Sequence, residues 1–286
     1  MKLLKTLPVQ NTLGEGVLWH HTSRSLWWTD IQQATIYQYS PANDKVTQFD
    51  MPERVGCFGF TNEPQKLIVA FASGVAFYWL DSKQLIWLSR PEQHIKGNRF
   101  NDGKVDRQGR FWAGTLVEND NSSDCASLYQ FDTDGSTTNR RTDLSITNSL
   151  CWSPCSKKLY HADSPSRTIY QFDFNKESGA LGNKQVFAKT PKNIFPDGAC
   201  IDKHGNLWSA QWGGSQVVQY DPTGNIMQTL KLSVSQVSCV AIGGENLDQL
   251  FVTTARDGLT TQQLMNESEA GNLFIYQLPA SIGIVE

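Results

Sequence analysis

The sequence predicts an all-β chain folded as a six-bladed β-propeller, and three observations carry that expectation. A hairpin pattern recurs six times, its hydrophobic anchors lie 41, 44, 48, 48 and 43 residues apart, and no stretch keeps a helical period. Each copy reads as a short strand, a polar turn, then Leu or Phe followed by aromatic or β-branched residues. The copies are VLWHHTSRSLWWTDI, FGFTNEPQKLIVAF, GKVDRQGRFWAGT, LCWSPCSKKLYHADS, ACIDKHGNLWSAQW and VAIGGENLDQLFVTTA, anchored at Leu26, Leu67, Phe111, Leu159, Leu207 and Leu250.

Each hairpin is followed by a further alternating segment: ATIYQYSPAND, GVAFYWLDSKQ, ASLYQFDTDG, RTIYQFDFNKESG, SQVVQYDPTGN and GNLFIYQLPA. Tyr, Phe, Val and Ile alternating between Gly, Asp, Asn and Pro are the mark of strands and their turns. About four strands per repeat at this spacing make a propeller blade, so residues 1–286 are expected to form a single six-bladed domain. A ring needs closing, and LKTLPV near the N-terminus is the expected extra strand of the last blade. A pair of β-sandwiches or a β-solenoid is the rival, but a solenoid would show shorter repeats without this aromatic hairpin.

Composition narrows the function. An apolar fraction of 39% with nine Trp suffices for a core. No apolar run reaches the roughly 20 residues that span a membrane, and MKLLKTLPVQNT lacks the apolar centre of a signal peptide. A net charge of −3 without a basic tract argues against nucleic acid as partner. A soluble, cytoplasmic protein is the expectation, and nothing in the pattern sets an oligomeric state. Cys57, Cys125, Cys151, Cys155, Cys200 and Cys239 form no CxxC pair. Cys151 and Cys200 read as small buried hydrophobes, reduced as befits the cytoplasm. His20, His21 and His204 fall in hairpins and are expected in solvent, whereas His161, on a strand, is expected to be structural.

The stretch RFNDGKVDRQGRFWAGT (99–115) poses the functional question, because polar side chains lead directly into a strand that looks buried. A buried polar group costs a few kcal/mol unless it is paired. In a propeller the innermost strand of each blade lines the central channel, so equivalent repeat positions converge on one axis. Counted back from the anchors, Glu15 lies 11 before Leu26, Asn101 10 before Phe111, Asn148 11 before Leu159, and Asp197 10 before Leu207. The second blade has Gly56 and Cys57 there, and the sixth has Ser238. The ring is therefore polar on one arc and small on the other, with room for a ligand. Asp and Asn before strands also cap turns, but a turn former has no need to vary among Glu, Asn and Asp in register. Hard oxygen ligands carrying about two negative charges suit Ca²⁺, Mg²⁺ or Mn²⁺, and carboxylates also bind Zn²⁺.

These residues, with GEGVLW (14–19), TNSLCWS (147–153), PDGACIDKHGNLWSAQWGG (196–214) and VTTARDGL (252–259), resemble the regucalcin/senescence-marker-protein/gluconolactonase family of six-bladed propellers. The matching stretches run through nearly the whole chain in order. One departure is that the family often has proline after its Gly-Glu segment, where this chain reads GEGVLW. The resemblance implies that Glu15, Asn148 and Asp197 ligate one divalent cation (Ca²⁺, Zn²⁺, Mn²⁺ or Mg²⁺), that Asp197 is the general base, and that Arg99 and Asn101 contact substrate. It implies more weakly that Glu118 meets sugar hydroxyls. Asp102 is expected to fix a turn, and Lys104 to make an ion pair or channel wall.

The chemistry implied is metal-dependent hydrolysis of a small sugar lactone to the aldonic acid. The ion polarises the carbonyl, and Asp197, or a water acidified by the ion, supplies the nucleophile. Trp212 and Phe195 are candidates to stack on the sugar, or else core aromatics. No GxSxG is present, which disfavours a serine esterase. The rival readings are a calcium-binding regulatory protein using the same ligands, a related propeller hydrolase of arylesters or organophosphates, and a protein-interaction propeller. The last lacks WD and Kelch signatures and leaves the polar ring without a purpose.

Overall fold

The computed structural model describes residues 1–118 and 125–285. Alternating segments bounded by turn formers become strands, and the described residues form six four-stranded sheets, each a meander of antiparallel neighbours. Blades 1 to 5 occupy residues 14–50, 55–89, 98–144, 147–189 and 195–231. Blade 6 takes three strands from residues 237–277 and its outermost strand from Lys2–Leu7, which pairs antiparallel with Leu273–Gln277. The N-terminal segment thus closes the ring as the sequence predicts. All six anchors fall in the second strand of their blades.

The first strands of the blades are Gly14–His20, Val55–Phe60, Asn98–Val105, Thr147–Trp152, Phe195–Ile201 and Val237–Gly243. Each packs against the first strands of both neighbouring blades, so they encircle one axis. The core does not sit on that axis. It lies in six wedges between blades, each wedge built from two adjacent sheets. Trp27 and Ile36 of blade 1 meet Phe58 and Phe71 of blade 2, and Trp112 of blade 3 meets Trp152 of blade 4 with ring centroids 5.9 Å apart. Apolar burial is roughly proportional to area and indifferent to direction, so the seams satisfy it and the axis is left for polar groups.

Each first strand also carries one residue more than its neighbour pairs with. The register jumps between Glu15 and Leu18, Val55 and Cys57, Phe100 and Gly103, Asn148 and Cys151, Pro196 and Ala199, and Val237 and Cys239. A β-bulge of this kind bends its strand and re-aims side chains. Six of them at one level make a collar of re-aimed residues around the channel.

Aspartates in the hairpin turns at the opposite end hold two of the blades. Asp202 Oδ1 accepts from the His204 and Asn206 amides, while Oδ2 accepts from Asn206 Nδ2, Trp208 Nε1 and Gln219 Nε2. Asp106 repeats the arrangement with the Gln108 and Arg110 amides and Trp112 Nε1. Both turns close with a glycine at φ +83, the left-handed region that other residues rarely enter.

His161 is fully buried with Nδ1 3.3 Å from Arg141, in keeping with a structural role. His20 departs from the expectation of solvent: as the last residue of its strand, at the seam of blades 1 and 2, it stacks on Phe60 with centroids 4.2 Å apart and bonds Ser23. Cys151 and Cys200 are buried, and the six cysteines are free. A one-turn helix, Thr261–Asn266, capped reciprocally by Thr260 and Gln263, sits in the long loop of blade 6. Among the described residues no helix is long and apolar enough to cross a membrane.

Replacing Asp202 by Ala strands several buried donors at once, each costing about 1–3 kcal/mol. Urea unfolding is expected to show a loss of about 3 kcal/mol or more, against less than about 0.5 kcal/mol for the exposed neighbour change Lys203→Ala.

Candidate active site

The bulges turn Glu15, Asn101, Asn148 and Asp197 toward one cavity of about 490 Å³ at the end of the channel. Backbone conformation at two of them is unusual. Gly16, directly after Glu15, has φ +57, and Ser149, directly after Asn148, has φ +58. A serine in this region is strained by about 1 kcal/mol, and its hydroxyl donates to the Asp197 carbonyl oxygen at 2.5 Å. That bond ties the blade 4 bulge to the blade 5 bulge.

Hydrogen bonds fix the two carboxamides. Asn148 Nδ2 donates to Ser164 Oγ at 2.9 Å, and Ser164 in turn donates to the Pro196 carbonyl. Asn148 Oδ1 therefore faces away from Ser164, and Asn101 Nδ2 lies 3.3 Å from it. Asn101 Nδ2 also donates to the Thr147 carbonyl at 3.0 Å, and its Oδ1 accepts from Arg99.

The carboxylates are the centre of the electrostatics. Burial pushes Glu15 up to about 8, and the nearby Asp102 charge adds to the effect. Asp197 is raised well above the carboxylate range, again by burial first and then by the charges of Glu15 and Asp102. Glu15 and Asp197 lie close enough that each perturbs the other's carboxyl. Asp102 fixes its bulge as expected, accepting from the Gly103 and Leu150 amides. It is more than a turn former, since its charge bears on both partners. Lys104 reaches the Ala199 carbonyl at 3.2 Å, on the channel wall.

Among the described residues no three His, Cys, Asp or Glu side chains converge as a metal cluster. The site is of mixed type: two buried carboxylates that repel each other's charge, and the fixed amide oxygen of Asn148. Such a set of hard oxygens carrying surplus negative charge fits a hard divalent cation.

Arg99 and Glu118 stand behind this group. Arg99 is buried, its Nε donating to Glu118 at 3.0 Å and its Nη1 to Asn101 Oδ1. Glu118 is gripped by Arg54 through both its oxygens, at 2.7 and 2.9 Å, and these bonds hold its carboxyl below the usual range. Neither Arg99 nor Glu118 lines the cavity, whereas Asn101 does. Phe195 and Trp212 both form its wall, with Leu13, Leu116 and Ile146 completing an apolar side. Sequence reasoning did not single out Ser164 or Arg54. Neither lies on an inner strand, and only the short 3₁₀ turn Ser164–Ser166 beside Asp163 marks the first.

A closed ring of six blades with a buried acid pair beneath an aromatic-walled cavity defines a propeller with a small-molecule site on its axis. The family model for the SMP-30/Gluconolactonase/LRE-like region matches residues 13–256, and the chain belongs to that family. It is 35% identical to an L-arabinolactonase of Azospirillum brasilense over 273 residues, 94% of this chain and 89% of that one. It is 32% identical to regucalcin of Sus scrofa over 267 residues, 91% and 89% of the two chains. A calcium-binding regucalcin of Agrobacterium tumefaciens superposes with a TM-score of 0.92 at 25% identity, covering 99% of this chain and 96% of its own.

The raised carboxyl pair gives a pH signature. Because the folded pKa of Glu15 lies above its unfolded value, its stabilising contribution is full below about pH 4.5 and is lost as pH rises through about 8. With chelator present, the melting temperature is expected to fall across that window, and the fall is expected to shrink in Asp197→Asn. A flat profile in the parent protein contradicts the assignment.

Proposed function

We propose that this chain hydrolyses a neutral sugar lactone to the aldonic acid in the axial cavity and depends on one divalent cation to do so. The observation that carries the reading is the convergence of Glu15, Asn148 and Asp197 beneath an aromatic wall, in a chain 35% identical to an L-arabinolactonase. Glu15, Asn148 and Asp197 would hold the cation, which when bound would supply Lewis-acid chemistry for the lactone carbonyl and counter-charge for the oxyanion.

The protein's own groups do the rest. Asp197, as carboxylate, takes the proton of the attacking water while the water oxygen bonds to the carbonyl carbon. When the tetrahedral intermediate collapses, the acyl C–O ring bond breaks and Asp197 returns that proton to the departing alkoxide, so that one water is added across the ester. Glu15 places a second negative charge beside Asp197 and so bears on when that carboxylate is free to act. Asn101, held by Arg99 and Thr147, presents a fixed amide at the cavity wall that orients ring hydroxyls. Arg99 acts through Asn101, as the anchor of its amide. Phe195 and Trp212 shield the reacting face from bulk water and pack on the C–H side of the ring.

The same donor set suits a calcium-binding regulatory protein, and the structural relative described as calcium-binding favours keeping that reading beside the first. A panel of sugar lactones assayed by proton release separates them. Turnover is expected to vanish with chelator and return with one or more of Ca²⁺, Mg²⁺, Mn²⁺ and Zn²⁺. Asp197→Asn and Glu15→Gln, shown folded by circular dichroism, are expected to lose about 10²–10⁴ in kcat/KM. Calcium binding without turnover on any lactone decides for regulation.

A further inference from the structure

Across the cavity from Asn101 lies a carboxylate that the reaction described above does not use. Asp257 sits in the loop after the second strand of blade 6 and lines the same cavity as Glu15, Asn148 and Asp197. Blade 6 stands three blades from blade 3, so Asp257 faces Asn101 from the far side of the ring.

Its backbone is held firmly at the seam of blades 6 and 1. The Arg256 and Asp257 amides both donate to the Thr12 carbonyl at 2.9 Å, Gln236 Nε2 donates to the Asp257 carbonyl at 2.9 Å, and Leu13 bridges to Ala255. The side chain is set by Gln32, whose Nε2 donates to Oδ2 at 3.0 Å. Gln32 Oε1 in turn accepts from Arg54 at 3.3 Å. A single hydrogen-bonded arc therefore runs Asp257–Gln32–Arg54–Glu118–Arg99–Asn101 around the rim. It runs from blade 6 over blades 1 and 2 to blade 3, and it joins the two polar edges of the cavity.

The carboxylate is separate from the acid pair. The charges that most strongly perturb Glu15 and Asp197 are one another and Asp102, not Asp257. It is half-buried on a rigid anchor, with Oδ2 engaged from the rim side. An ionised carboxylate only accepts hydrogen bonds, and the donors that a neutral sugar lactone brings are its hydroxyls.

We infer that Asp257 is a specificity-determining residue that accepts hydrogen bonds from substrate ring hydroxyls, with Gln32 and Arg54 as the residues that position it against Asn101. The site so built selects a polyhydroxylated ring and gives nothing to a lactone without hydroxyls. A polar group built to meet a hydroxyl discriminates strongly against the analogue lacking it. The inference rests on the lactonase reading for its substrate, but its binding half stands apart from turnover.

The test has two arms, run on the parent, Asp257→Asn and Asp257→Ala, each with saturating Mn²⁺ and each checked by thermal melting. In the first arm a 1,4-anhydropentitol, which has the ring hydroxyls but no carbonyl, is titrated calorimetrically. Affinity is expected to fall about 10- to 100-fold in both variants. In the second arm kcat/KM is compared between an aldono-1,4-lactone and γ-butyrolactone. The hydroxylated substrate is expected to lose a similar factor, mostly in KM, while γ-butyrolactone changes less than about twofold. Unchanged polyol affinity in Asp257→Ala, no polyol binding by the parent, or equal losses on both lactones overturns the inference. A parent that cleaves no lactone yet binds the polyol through Asp257 overturns the lactonase reading alone.

Discussion

The inner strand of every blade holds one residue that its neighbour strand cannot pair, and the site depends on that mismatch. In a regular strand successive side chains alternate between faces, and each face of an inner strand looks into a blade seam. The extra residue breaks the alternation at one level and turns side chains toward the axis. Because all six bulges sit at the same depth, what would be six separate irregularities becomes a collar. Glu15 and Asp197 come from blades 1 and 5, more than 180 residues apart in the chain, yet each perturbs the other's carboxyl.

The division of labour between seams and axis makes this arrangement tolerable. Six apolar wedges hold the blades together without crowding the centre. Two buried carboxylates of like charge cost stability, and the left-handed Ser149 adds strain at the same place. Conformations of that kind persist where the surroundings over-determine them. Here the surroundings are the Ser149 bond to the Asp197 carbonyl, the Asn148–Ser164–Pro196 relay and the rim arc through Arg54 and Arg99.

Much of this was legible in the sequence. The spacing of Leu26, Leu67, Phe111, Leu159, Leu207 and Leu250 located the second strand of each blade, because a repeated hairpin must repeat its buried anchor. Counting back from those anchors found Glu15, Asn101, Asn148 and Asp197 together, and LKTLPV was recognisable as the closing strand because a ring of blades needs closing. The bulges themselves were not legible, and the alternation of 10 and 11 in those counts comes from hairpin turns that differ by one residue. The Arg54–Glu118 ion pair was hidden because it joins loop residues of different blades, where no period constrains register. Asp257 and Gln32 are loop residues of the same kind. His20 was misplaced because a position at a strand end tells nothing of the neighbouring blade that covers it.

If the collar exists to hold a cation, the ion must lie where the bulged residues converge. Crystals soaked in Mn²⁺ and measured for anomalous scattering test this most directly. The account requires one strong peak in the axial cavity, about 2.0–2.6 Å from oxygens of Glu15, Asn148 and Asp197. A peak elsewhere, or an axial cavity without one at saturating Mn²⁺, contradicts it.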